Sequence, residues 1–170
     1  MTIGLIGLEE NGFRFAQNLI RQKFTVVAFD QKDTNRKCAA EAGIVTTSSI
    51  QAVALHLPSP RIIWCMVAGA AKELVYLKLL ELLTPGDIVV DDGSSNHIDS
   101  ILFQKMFQEK NIQILKYSTL GNIGGIFNGL CITVEGNAAT YQQCKPIFEV
   151  VCGANENQFL VLINCELKAF

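Results

Sequence analysis

The first residues in this chain whose types and spacing point to chemistry lie in the turn Gly7-Leu8-Glu9-Glu10-Asn11-Gly12. It follows the apolar run Ile3-Gly4-Leu5-Ile6 and leads into an amphipathic stretch. In a G-x-G-x-x-G turn, the first glycine makes a tight bend and the third lets a helix pack closely on a strand. The second allows a pyrophosphate to approach the backbone, and the N–H groups opening the helix attract it. Gly7 and Gly12 hold the first and third places, with Leu8 between; Glu9 stands in the second. Like charges about 4 Å apart repel by about 1 kcal/mol in bulk water and by more where solvent is partly excluded. Glu9, with Glu10 beside it, is therefore expected to oppose a bound pyrophosphate. The plainer alternative is that Glu9, Glu10 and Asn11 cap and charge-match the helix.

A second candidate is Asp30, about 20 residues past the glycines, where a carboxylate hydrogen-bonds a ribose 2′-hydroxyl and favours NAD. Lys32 and Arg36 follow and offer positive charge to a 2′-phosphate, which keeps NADP open. The alternative for Asp30 is the N-cap of a helix starting near Thr34. Asp91, Asp92, His97 and Asp99 form the densest titratable group, a pattern consistent with acid/base or metal chemistry. Strand ends and helix caps carry such residues routinely, and that reading is the stronger one. Cys38, Cys65, Cys131, Cys144, Cys152 and Cys165 include no C-x-x-C pair, and His56 and His97 are the two histidines, so no zinc site is expected. Trp64 and Met66 are read as core.

The elements that must position these residues alternate throughout, as in a single doubly wound, mainly parallel α/β sheet of Rossmann type. Strands are expected at Thr25–Asp30, Ile44–Thr46, Arg61–Val67, Asp87–Asp91, Gln113–Lys116, Leu130–Val134 and Phe159–Ile163. Helices are expected from Thr34 to Ala42, after Ser48 and Ser49 to Leu55, from Ala71 to Leu83, after Ser94-Ser95-Asn96 to Gln108, and from Ala138 to Val151, where Pro146 would kink the chain. A glycine-rich loop spans Gly121 to Gly129. The 170 residues suit one domain, and 49% apolar content with a net charge of −2 argues against nucleic acid or an anionic membrane as partner. Apolar runs fall short of a membrane span and no leader pattern opens the chain, so the expected compartment is the cytoplasm.

Several blocks in one order resemble the N-terminal cofactor domain of the 6-phosphogluconate dehydrogenase and 3-hydroxyisobutyrate dehydrogenase superfamily, the β-hydroxyacid dehydrogenases. They are Ile3 to Leu8, Ser59-Pro60 into Arg61-Ile62-Ile63-Trp64-Cys65-Met66-Val67, Gly86 to Ser95, Asp99-Ser100 and Gly129-Leu130-Cys131. The resemblance implies an NAD(P) site at Gly7, Leu8, Gly12 and Asp30, with Met66, Val67 and Ser94 on the nicotinamide side. It also marks departures. Ala68 replaces a proline, Ser94 replaces an asparagine, and Leu120-Gly121-Asn122 stands where the family has its S-G-G substrate motif. The helical domain with its catalytic lysine is absent, and Lys168 is read as a surface charge. No catalytic residue is therefore assigned. The expected function is a degenerate cofactor domain, non-catalytic by itself, acting through association with itself or another protein at the apolar segment Phe159, Val161, Ile163 and Phe170. The alternative is an NAD(P)-binding component completed by a separate helical chain.

Overall fold

The computed structural model describes residues 1–93, 97–120, 131–152 and 163–164. Eight strands form one sheet: β1 (Thr2–Ile6), β2 (Thr25–Phe29), β3 (Val45–Thr46), β4 (Ile62–Cys65), β5 (Ile88–Asp91), β6 (Gln113–Leu120), β7 (Cys131–Glu135) and β8 (Ile163–Asn164). Their order is β3-β2-β1-β4-β5-β6-β7-β8, and every pairing is parallel except β6 with β7. Among the described residues, six helices accompany them: α1 (Glu10–Arg21), α2 (Asp33–Glu41), α3 (Ile50–His56), α4 (Ala70–Leu82), α5 (His97–Glu109) and α6 (Ala138–Cys152). The expected doubly wound, mainly parallel sheet is present.

A parallel sheet covered on both faces needs strands that are apolar throughout. β4 meets this condition: all four of its residues are buried, and successive side chains point to opposite faces. Ile62 and Trp64 face the layer of α1, α2 and α6, where the Trp64 ring lies 4.9 Å from Phe15 and Phe148 and 5.2 Å from Tyr117. Ile63 and Cys65 face α3, α4 and α5, among Val53, Tyr76, Leu79 and Phe107. Trp64 is core, as its place in an apolar strand indicates.

Most element boundaries fall within a residue or two of expectation, and two differ for tertiary reasons. β4 ends at Cys65, before Met66 and Val67, because the chain turns away there into the loop before α4. β6 runs on to Leu120, well past Lys116, because its second half pairs antiparallel with β7 from Lys116↔Glu135 to Leu120↔Cys131. Local pattern cannot show that extension, which depends on a strand beyond the next loop. The expected loop Gly121–Gly129, with Asn122, lies outside the described residues, as do Ser94, Lys168 and the apolar segment apart from Ile163.

Candidate functional site

β1 is flanked by β2 on one side and β4 on the other, so the chain reverses its direction of winding between β1 and β4. In open α/β sheets, the crevice beyond the strand carboxyl ends at such a point is where ligands bind. Ile6 is level with Cys65, which brings Gly7 and Met66 side by side at the sheet edge. The Met66 N–H donates to the Ile6 carbonyl at 2.8 Å, and the Gly7 N–H donates to the Phe29 carbonyl at 2.9 Å. Gly7 has φ +103°, and a Cβ there would run into the Met66 carbonyl oxygen. A Cβ on Gly12 would strike the Gly7 carbonyl oxygen, so α1 packs against the turn only because both positions lack a side chain.

The crevice opens into a cavity of about 700 Å³ lined by Gly7, Glu9, Asp30, Lys32, Met66 and Val67 among others. Five of the expected cofactor residues therefore meet in one place: Gly7, Asp30, Met66 and Val67 line the cavity, and Gly12 packs beneath the turn. Leu8 contributes differently, with its side chain 3% exposed and its backbone facing Asp30. The wall is mostly apolar, and Ile6, Phe29, Ile50, Ala68, Ala71, Leu74 and Val75 complete it. Ala68 belongs to the loop that the resemblance puts on the nicotinamide side; Ile50, Ala71, Leu74 and Val75 are not identified by sequence spacing, because α3 and α4 reach the cavity only through folding.

The charged groups are arranged unlike the sequence expectation. Glu9 occupies the N-cap position of α1 but makes no capping bond with its side chain. Its Oε1 instead accepts from Lys32 Nζ at 2.8 Å, with the two side chains 69% and 64% exposed. This bond and the Glu9 charge together raise the Lys32 pKa. Glu10 pairs with Arg14 one turn along the helix. Capping by Glu9 is thus replaced by an ion pair to the loop after β2, and the α1 N-terminus carries no side-chain cap.

Asp30 is 7% exposed. Its Oδ2 accepts the Leu8 N–H at 2.7 Å and its Oδ1 accepts the Lys32 N–H at 2.8 Å. It therefore ties the glycine turn to the loop after β2. It does not cap α2, which starts at Asp33 with Lys32 in the cap position. Arg36 Nη1 donates to the Asp30 and Gln31 carbonyls at 2.6 and 3.1 Å, Nη2 reaches Asp33 at 2.9 Å, and the guanidinium lies over the Phe29 ring.

Further along the carboxyl edge, Lys72 of α4 is buried at 3% exposure. Its Nζ donates to Asp91 Oδ1 at 2.5 Å and to Asp92 Oδ1 at 2.8 Å. Burial lowers the Lys72 pKa, but the bonds and charges of the two aspartates outweigh that and raise it overall. Asp91 and Asp92 were singled out by their density in the sequence; Lys72 was not. The one signal was a lysine in the first turn of a mostly apolar helix. His97 and Asp99 open α5, but their side chains lie outside the described residues. Among the described residues, no group of three His, Cys, Asp or Glu side chains is placed to hold a metal ion, and no helix is long and apolar enough to cross a membrane.

A family model described as the NAD binding domain of 6-phosphogluconate dehydrogenase matches residues 2–161. The chain is 31% identical over 160 residues to the decarboxylating 6-phosphogluconate dehydrogenase of Haemophilus influenzae, a match covering 91% of this chain and 33% of that protein. Its fold is similar to that of a Mycobacterium tuberculosis 3-hydroxyisobutyrate dehydrogenase, with TM-score 0.81 and 18% identity over 96% of this chain and 55% of the other. It is also similar to an imine reductase from Myxococcus stipitatus in complex with NADP+, with TM-score 0.79 and 13% identity over 96% and 55% of the two chains. The chain thus spans about a third of the length of the Haemophilus enzyme and just over half of the other two.

Proposed function

This chain belongs to the NAD-binding domain family of 6-phosphogluconate dehydrogenase, and from that premise we propose that it binds NAD or NADP in the cleft at the β1/β4 switch point, as the cofactor half of an oxidoreductase. The observation that carries this reading is the position of Glu9. The carboxylate expected to block the pyrophosphate is drawn off to Lys32, and the α1 N-terminus has no side-chain cap. Gly7 and Gly12 leave room for the backbone to approach a phosphate at that terminus. The apolar end of the cavity, between Met66, Val67 and Ala68, suits a nicotinamide ring.

A bound nicotinamide supplies the hydride chemistry. The residues of this chain bind and orient it: Gly7 and α1 at the phosphates, Asp30 by fixing the turn, Met66 and Val67 along the ring. Proton transfer needs an acid or base within hydrogen-bond reach of the reacting hydroxyl. Asp30 is committed to two backbone N–H groups, and the Glu9–Lys32 pair sits on the β2 side of the cleft. The proposal accordingly gives neither of these groups the acid/base role and assigns no catalytic residue among the described ones.

Isothermal titration of the purified chain with NAD and NADP at low salt tests the proposal. Saturable binding of either at micromolar to low millimolar levels is the expected result. No heat with either nucleotide would favour a second reading, for which Glu9 at the cavity rim speaks: a scaffold whose cofactor site is closed and which acts by protein association.

A further inference from the structure

The cavity is polar at one end only, where Glu9, Asp30, Gln31 and Lys32 meet. This is the side of the loop after β2, where a dinucleotide carries its adenosine ribose and where a basic residue accommodates the 2′-phosphate of NADP. Three cations follow β2, and one of them, Lys37, pairs with Asp33 at 2.8 Å. Arg36 is engaged with two backbone carbonyls and Asp33, and its side chain is 21% exposed. Lys32 is 64% exposed and could turn toward a ligand, but its Nζ lies 2.8 Å from Glu9 Oε1. Glu9 comes from the glycine turn, 23 residues earlier, so the ion pair joins that turn to the loop after β2.

We propose that Glu9 is a specificity-determining residue that holds Lys32 away from the ribose 2′ position and so turns the cleft toward NAD. The inference rests on the cofactor reading above. A 2′-phosphate must take Lys32 from Glu9, whereas a 2′-hydroxyl asks nothing of Lys32. The discrimination therefore comes from the glycine turn acting on the loop after β2.

The test is titration of the wild-type chain and of Glu9→Gln, Lys32→Met and the double variant with NAD and with NADP at low and moderate salt. Both side chains are largely exposed, so the variants keep the fold. Glu9→Gln should raise affinity for NADP by about threefold or more beyond any gain for NAD, in the range that loss of one exposed charge contact allows. In the Lys32→Met background, the same change should leave the NADP-to-NAD ratio as it was. An equal gain for both nucleotides would show that Glu9 merely repels the shared pyrophosphate, and would overturn the inference. A ratio change that persists without Lys32 would overturn it too. Failure of every variant to bind either nucleotide would instead overturn the cofactor reading beneath it.

Discussion

Three buried aspartates show how a single residue type is put to different uses. Asp87, 1% exposed, sits just before β5 at the amino edge of the sheet and accepts from the Arg61 N–H and guanidinium and from Thr84. Asp30 binds two backbone N–H groups at the carboxyl edge, and Asp91, fully buried, meets the ammonium of Lys72. Removing one partner of a buried ion pair typically costs about 3–5 kcal/mol because the other charge is left uncompensated. Lys72→Met is expected to lose stability of that order, read as a lower urea midpoint; a loss under about 1 kcal/mol would show that Asp91 does not depend on Lys72. The pH dependence has a definite sign. A lysine whose folded pKa exceeds its unfolded value contributes fully below the unfolded pKa, and that contribution disappears as pH climbs through the folded one. The Lys72 contribution should therefore be intact at neutral pH and be lost as the pH rises above the ordinary lysine value of 10.5, and the alkaline loss should be smaller in Lys72→Met.

At the scale of elements, the helix starts differ in how they are capped: α1, α2 and α4 have no side-chain cap. Ser49 caps α3 by accepting the Ala52 N–H at 3.1 Å, and Asn137 caps α6 by accepting from Ala139 and Thr140 at 2.9 and 3.2 Å. The start of α1 faces the cleft without such a cap. A cap stabilises a helix by satisfying N–H groups that a ligand would otherwise use. Asn137→Ala should therefore lower stability by about 1 kcal/mol and leave nucleotide affinity unchanged, measured by thermal denaturation and titration of the same preparation. An affinity change would mean that α6 communicates with the cleft through α1, against which it packs.

Over the whole molecule, the two edges of the sheet do separate work. Asp87 and Arg61 brace the amino edge, while Gly7, Asp30, Met66 and Asp91 gather at the carboxyl edge, where parallel strands direct the loops that bind ligands. Asp87→Ala should destabilise the fold while the folded protein binds nucleotide as before. Gly7→Ala should abolish binding, since its Cβ meets the Met66 carbonyl and its φ of +103° is strained for any other residue. Equal effects of the two changes on affinity would argue against this division. The sequence by itself determined the alternation of strands and helices, the buried strand around Trp64 and the glycine turn, because periodicity and turn chemistry are written in near neighbours along the chain. It also named Asp30 and Asp91, but not what they touch. Glu9 with Lys32, Leu8 with Asp30, and Lys72 with Asp91 are separated by 23, 22 and 19 residues. Such pairs exist only once neighbouring strands have set their register and the connecting helices have turned their side chains inward. Glu9 could thus be read from the sequence as a block in the phosphate site, and only the tertiary structure decided that its charge is directed to a lysine on the neighbouring loop.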